Sequence, residues 1–183
     1  MSASHNSVLV LSQEEIDRSL IRISHEIVEK NHGVENLVLM GIPTRGKYLA
    51  ERIARNIAHF EKPIPCGTLD ITMFRDDLRL RPPRAISPTV VPDGGVAGRD
   101  VVLVDDVLFS GRSIRSALDA LNEIGRPRSV QLAVLIDRGH RQLPIRADYV
   151  GKNLPTSLDE KVQVHLVEID EDNSVYVLKG ESK

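Results

Sequence analysis

The chain has 183 residues, enough for one compact domain over 1–183, and its 41% hydrophobic, 27% charged and 3% aromatic residues describe a protein whose core is filled by aliphatic side chains. With 24 Lys and Arg against 26 Asp and Glu, the net charge of −2 excludes a general pull toward nucleic acid or membrane. Cys66 is the only cysteine, which excludes an internal disulfide. No apolar run approaches membrane-spanning length, and Met1 to Ser12 lack the pattern of a signal peptide, so the expected location is the cytoplasm.

The first predicted element is a helix. Ser12 and Glu15 form a capping box, Ile16, Leu20, Ile23 and Ile27 recur at helical spacing, and Gly33 ends the run. Its other side carries Arg18, Arg22, His25 and Glu29. A short apolar strand over 36–40 leads into Gly41-Ile42-Pro43-Thr44-Arg45-Gly46, and a second helix is expected over 47–60. Strand character returns over 68–74. The stretch 75–98 holds four of the ten prolines together with Gly94-Gly95 and reads as a long irregular insertion. Residues 100–104 are the nearly all-apolar run of a strand buried on both faces. A helix follows over 112–124, stopped by Gly125, then another buried strand over 130–136. The polar stretch 138–157 reads as loop, and 162–169 with 175–178 as a terminal hairpin. Strands alternating with helices predict an α/β fold with a doubly wound, mostly parallel sheet.

Charge is unevenly placed. Arg126, Arg128, Arg138, Arg141, Arg146 and Lys152 face only Asp137 and Asp148 within 126–152, whereas 153–183 is acidic. Such asymmetry permits an anion-binding face on a near-neutral protein, although a solvated loop has the same composition.

The densest chemistry lies in Val101-Val102-Leu103-Val104-Asp105-Asp106-Val107-Leu108-Phe109-Ser110-Gly111-Arg112-Ser113. A buried strand delivers two adjacent carboxylates to the carboxyl edge of the sheet, where ligands of open α/β folds bind. A short turn through Gly111 then opens a helix whose free N–H groups can cradle a phosphate, with Ser110 and Ser113 as hydroxyl donors and Arg112 as a cation. Carboxylates beside a phosphate cradle make sense when the ligand also has hydroxyls: ionised Asp accepts from both hydroxyls of a ribose and attracts Mg²⁺, directly or through water. An Asp-rich turn after a strand is common by itself; the complete order of strand, acid pair, Ser-Gly and helix is not.

This segment resembles the signature of type I phosphoribosyltransferases. The resemblance implies that Asp105 and Asp106 clamp the ribose and hold Mg²⁺, and that Leu108, Phe109, Ser110, Gly111, Arg112 and Ser113 bind the 5′-phosphate, with Val107 between. Ser110 replaces a commoner threonine. Purine-specific members often carry an acid at the position of Phe109, so its absence points away from a 6-oxopurine and leaves no obvious protein base. Gly41 to Gly46, Leu69-Asp70-Ile71-Thr72-Met73-Phe74-Arg75-Asp76-Asp77, Asp137-Arg138-Gly139-His140-Arg141 and Asp148-Tyr149-Val150-Gly151-Lys152-Asn153 are similar to the family of bifunctional pyrimidine operon regulators and uracil phosphoribosyltransferases.

That resemblance, from about Leu11 to Leu178, implies several further expectations. Phosphoribosyl pyrophosphate and uracil are the substrates and UMP or UTP the signal. Thr44, Arg45 and Gly46 hold pyrophosphate across a cis peptide between Thr44 and Arg45. A flexible lid covers about 74–98, and a small hood about 138–157 closes over the base, with Arg141 reaching the nucleotide. Leader mRNA of a pyrimidine operon binds Arg18, Arg22, His25, Arg138, Arg141, Arg146 and Lys152, and a homo-oligomer is expected. Two alternatives stay open: an RNA-binding regulator with little catalysis, and a purine or orotate phosphoribosyltransferase sharing the Asp105 to Ser113 site. The stripe of Arg18, Arg22 and His25 is also what an ordinary solvated helix looks like.

Overall fold

The computed structural model describes residues 7–77 and 87–180. The chain runs β1 (Ser7–Leu11), α1 (Gln13–Lys30), β2 (Leu37–Gly41), α2 (Arg45–Ala58), β3 (Cys66–Thr68), a 3₁₀ turn (Thr72–Phe74), β4 (Asp100–Leu108), α3 (Arg112–Ile124), β5 (Ser129–Asp137), β6 (Tyr149–Asn153), β7 (Lys161–His165) and β8 (Ser174–Leu178). Five strands form a wholly parallel sheet in the order β3-β2-β4-β5-β6. β1, β8 and β7 form a second, antiparallel sheet.

Why the central strands are continuous apolar runs is visible in their packing. Leu37, Leu39, Val102, Val104, Ala133 and Leu135 point to one side, onto Ile16, Leu20, Ile23 and Ile27 of α1 and Leu49, Ile53 and Ile57 of α2. The alternate residues Val38, Met40, Val101, Leu103, Leu132 and Val134 point to the other side, onto Ile114, Ala117, Ala120 and Leu121 of α3. A strand clothed on both faces has no polar position to spare. Each fully buried aliphatic side chain contributes roughly 1.5–3 kcal/mol. α1 begins as its sequence dictates: Ser12 Oγ accepts from the Glu15 N–H, and the Glu15 carboxylate accepts from the Ser12 N–H at 2.8 Å.

Several expectations are corrected. The strand expected over 68–74 is confined to Cys66–Thr68, because Asp70 turns the chain: its Oδ1 accepts from the Thr72 N–H at 2.9 Å and from the Thr72 hydroxyl at 2.6 Å. The stretch 138–157 is not all loop, since Tyr149–Asn153 is the parallel edge strand β6. Ser7–Leu11, unassigned by sequence, pairs with β8. α2 begins at Arg45 rather than Lys47. The cis peptide lies between Pro43 and Thr44, one bond before the expected position. Of the lid expected over 74–98, residues 78–86 lie outside the described residues.

After β2 the chain moves outward to β3, and β4 then lies on the other side of β2. The strand order therefore reverses between β2 and β4, and the loops leaving their carboxyl ends diverge there.

Candidate active site at the sheet edge

β4 remains a strand through Leu108, so Asp105 and Asp106 lie within it near its carboxyl end. Each uses one oxygen on the next backbone amide: Asp105 Oδ1 accepts from the Asp106 N–H at 2.9 Å, and Asp106 Oδ1 from the Val107 N–H at 2.8 Å. Burial, followed by the adjacent Asp106 carboxylate, pushes the Asp105 carboxyl well above the usual carboxylate range, while the Asp106 N–H and Arg75 pull the other way.

Gly111 has φ +92°, in the left-handed region, and caps α3 without a side chain. Ser110 Oγ accepts from the Arg112 N–H at 3.3 Å. The other first-turn amides remain for a ligand. Val107 through Ile114 line a cavity of about 650 Å³ with Asp105, Arg75, Asp76, Asp77, Ser116 and Gln142. A second cavity of about 260 Å³, almost wholly polar, is lined by Ile42, Pro43, Thr44, Arg45, Ile71, Asp106, and by Arg75, Asp105, Val107 and Ser113, which it shares with the first. One lobe thus offers hydroxyls and amides, the other Arg45 and the turn after β2, and the carboxylates lie between.

Thr44, Arg45, Asp105, Asp106 and all residues from Val107 to Ser113 are brought together in these two lobes. Gly46 lines neither. A Cβ there would stand 2.4 Å from the Val104 carbonyl, so Gly46 lets α2 start directly against β4. Arg141 also lines neither lobe. It donates to the Phe109 carbonyl at 2.8 Å and the Ile145 carbonyl at 2.9 Å, and pairs with Asp137, bracing the phosphate loop from outside. Gln142 and Leu143 donate backbone N–H groups to the Ser110 carbonyl. The expected hood segment therefore begins by clasping that loop.

Arg138, expected on an RNA face, is 7% exposed. Its guanidinium lies 4.2 Å from the Phe109 ring centre and donates to Thr156 Oγ1 and the Ser157 carbonyl, each at 3.0 Å. Burial lowers its pKa from the ordinary arginine value. It is a wall of the loop, and the placement corrects the expectation. Arg18, Arg22, His25, Arg146 and Lys152 are exposed. Arg22 pairs with Glu26 at 2.8 Å and donates to the Val150 and Gly151 carbonyls at 3.0 and 2.7 Å, tying α1 to β6. His25 stacks on Phe60 with ring centres 4.1 Å apart.

Sequence reasoning did not single out Arg75, Asp76 or Gln142. Arg75 pairs bidentately with Asp77, both bonds at 2.8 Å, and Arg112 bonds Asp76 at 2.7 Å and Gln142 at 2.8 Å. The hydrogen bond to Asp77 raises the Arg75 pKa further, against partial desolvation. Arg75 opens the long irregular stretch, and a cation beside Asp76 and Asp77 at that boundary was the available signal.

The profile of the phosphoribosyl transferase domain matches residues 10–172. The chain is 65% identical to the bifunctional protein PyrR of Streptomyces coelicolor over 88% of this chain and 84% of that protein. It is 57% identical to the bifunctional protein PyrR of Chloroflexus aurantiacus over 96% and 97%. The chain belongs to the bifunctional PyrR family. In fold, the PyrR-family chain is similar to the hypoxanthine phosphoribosyltransferase of Trypanosoma cruzi, with a TM-score of 0.73 at 18% identity over 98% of this chain and 94% of that one. A hypoxanthine phosphoribosyltransferase from Staphylococcus aureus gives 0.71, also at 18% identity, over 99% of both chains. These likenesses establish the type I phosphoribosyltransferase fold. No helix among the described residues is long and apolar enough to cross a membrane.

Proposed function

We propose that this PyrR-family chain transfers ribose 5-phosphate from phosphoribosyl pyrophosphate to uracil, giving UMP and pyrophosphate, and that uridine nucleotide in the same site governs binding of a pyrimidine-operon leader RNA. The observation that carries the first half is the Asp105–Asp106 pair between two anion-accepting lobes at the switch point of the sheet. The 5′-phosphate takes the Ser110–Gly111 turn and the first amides of α3. The ribose hydroxyls donate to the carboxylates, and pyrophosphate lies along Thr44 and Arg45.

N1 of uracil attacks C1 as the bond from C1 to pyrophosphate breaks, its proton passing to the departing pyrophosphate, and positive charge builds on the ribose. Asp105 and Asp106, once ionised, lie beside that charge, while Arg45 and the amides of the turn take up the negative charge of the leaving group. The phenyl ring of Phe109 supplies no base, so positioning and charge carry the reaction. Among the described residues no three His, Cys, Asp or Glu are grouped as a ready metal cage. Two adjacent carboxylates opening on a polar cavity fit a hard cation that keeps most of its water, and Asp105 and Asp106 would hold Mg²⁺ in that way. When bound, Mg²⁺ screens the charge of the pyrophosphate and ribose oxygens.

The RNA half rests on exposed cations: Arg18, Arg22 and His25 along α1 and Lys152 on β6, with the Arg22 bonds to Val150 and Gly151 holding the two elements together. Phosphates meeting these cations would contribute affinity that weakens with salt.

The test is product formation from uracil, hypoxanthine, guanine and orotate with phosphoribosyl pyrophosphate and Mg²⁺, together with RNA titrations in the presence and absence of UMP. UMP from uracil and negligible product from the purines is the expected result. Efficient use of a purine sinks the uracil assignment. Failure to bind any pyrimidine leader RNA with UMP present sinks the regulatory one.

A further inference from the structure

We propose that Asp170 is a positioning residue for pyrophosphate: it holds the Arg45 guanidinium by one nitrogen, so that the Arg45 Nε–H stays free for the leaving group. The proposal rests on the assignment of the Thr44–Arg45 lobe to pyrophosphate. Arg45 Nη2 donates to both oxygens of Asp170, at 2.9 and 3.0 Å. Asp170 lines neither lobe of the site, whereas Arg45 lines the smaller one, so the carboxylate grips the guanidinium from outside.

Asp170 is itself fixed. It sits in the turn region 166–173 between β7 and β8, its Oδ2 accepts from the Leu166 N–H at 2.8 Å, and its own N–H returns to the Leu166 carbonyl at 2.7 Å. Leu166 is fully buried in the core shared with α1 and α2.

The second observation is an unmet hydrogen bond. Arg45 Nε is buried and has no partner among the described residues. A buried N–H without an acceptor is costly, and such a donor marks a place where a ligand atom completes the geometry. The neighbouring pair supplies an internal contrast. Arg52, two turns on along α2, meets Glu168 of the same turn, but through both Nε, at 2.9 Å, and Nη2, at 2.6 Å, and Nη2 reaches Asn173 as well. The side-on fork is thus made in full where it only joins the turn to the helix. At Arg45 the turn takes Nη2 alone and leaves Nε without a partner among the described residues.

Titration calorimetry with inorganic pyrophosphate plus Mg²⁺, and with phosphoribosyl pyrophosphate, tests this. Asp170→Asn should weaken pyrophosphate binding about tenfold. Asp170→Glu should recover part of the loss, and circular dichroism should show both variants folded. In an Arg45→Ala background, Asp170→Asn should have no further effect, because the carboxylate acts through Arg45. Glu168→Gln should lower the melting temperature yet keep pyrophosphate affinity within about twofold of wild type. Wild-type affinity in Asp170→Asn, or an equal loss with and without Arg45, overturns the proposal. Wild-type protein that binds neither ligand overturns the site assignment itself, an outcome distinct from a wild type that binds and an Asp170→Asn variant that binds equally well.

Discussion

Arg138 and Arg146 stand in one polar stretch of the sequence, yet Arg138 is 7% exposed beneath Phe109 while Arg146 is open to solvent. The same division separates Arg141, whose guanidinium is spent on Asp137 and three carbonyls, from Lys152 on the outer edge of β6. One group of cations is a structural wall for the loop after β4; the other stands open to solvent. The difference comes from the acceptors that folding brings to each, the Thr156 hydroxyl and Ser157 carbonyl for Arg138, and not from any local pattern around the arginines. A basic stretch therefore holds two kinds of cation, one enclosed by acceptors and one open to solvent.

The comparison breaks most visibly at the carboxylates of the inner site. Asp106→Asn should fold normally and lower transferase turnover by about 100- to 1000-fold, the usual scale for removing one preorganised electrostatic group. RNA affinity at saturating UMP should stay within about threefold of wild type, since Arg18, Arg146 and Lys152 are untouched. Near-normal turnover would show that the site lies elsewhere; a parallel collapse of RNA binding would show that the two regions are one.

Asp105→Asn should lose turnover similarly but gain stability. The folded protein holds the Asp105 proton to higher pH than the unfolded chain does, so Asp105 adds stability in acid and loses it as pH rises through its raised pKa. At pH 8 the variant should melt about 2–4 °C above wild type for each kcal/mol of relief, and the advantage should vanish near pH 4. Scanning calorimetry at the two pH values decides it; a variant less stable at pH 8 contradicts the assigned burial of charge.

Arg138→Ala should act on the inner region alone. Losing two hydrogen bonds and the stacking on Phe109 should cost about 1–3 kcal/mol of stability and raise the KM for the base, while the salt dependence of RNA binding stays unchanged. A reduced salt slope would return Arg138 to the RNA surface. The smallest effects belong to the outer region. Arg18→Ala and Arg146→Ala should each lower the slope of log K against log salt by roughly 0.7–0.9 and leave uracil turnover intact. Arg22→Ala is a poorer probe, because it also frees the Val150 and Gly151 carbonyls.

What the sequence discloses of this molecule is what its residues decide locally. The capping box at Ser12, the helical face of Ile16, Leu20, Ile23 and Ile27, and the run from Val101 into Asp105 and Asp106 carry their own instructions, and the structure follows them. β1 is a different case: its five residues acquire strand pairing only from β8, at the far end of the chain. β6 ends in Gly151-Lys152-Asn153, too polar for a buried strand, and holds its place by pairing with β5 at the sheet edge. Asp70 outbids strand character by bonding Thr72. Asp170, 125 residues from Arg45, left no trace near the motif that it serves.

The pairing of β1 with β8 also has a consequence for how the protein is made. β1 precedes every other described strand on the ribosome, and the strand that pairs with it is the last of the described strands to emerge. Until then, exposed Val8 and Leu9 belong to an open ribbon, and the turn bearing Asp170 is not yet docked on Arg45. The central sheet can assemble earlier, since β2 through β6 are complete by Asn153. A nascent chain should therefore acquire its nucleotide-shaped edge before the segment that tunes it, and the slow step should be the long-range closure of the small sheet. Chain truncation just before Ser174 would arrest the molecule at that stage, with the acid pair in place and the arginine beside it untethered.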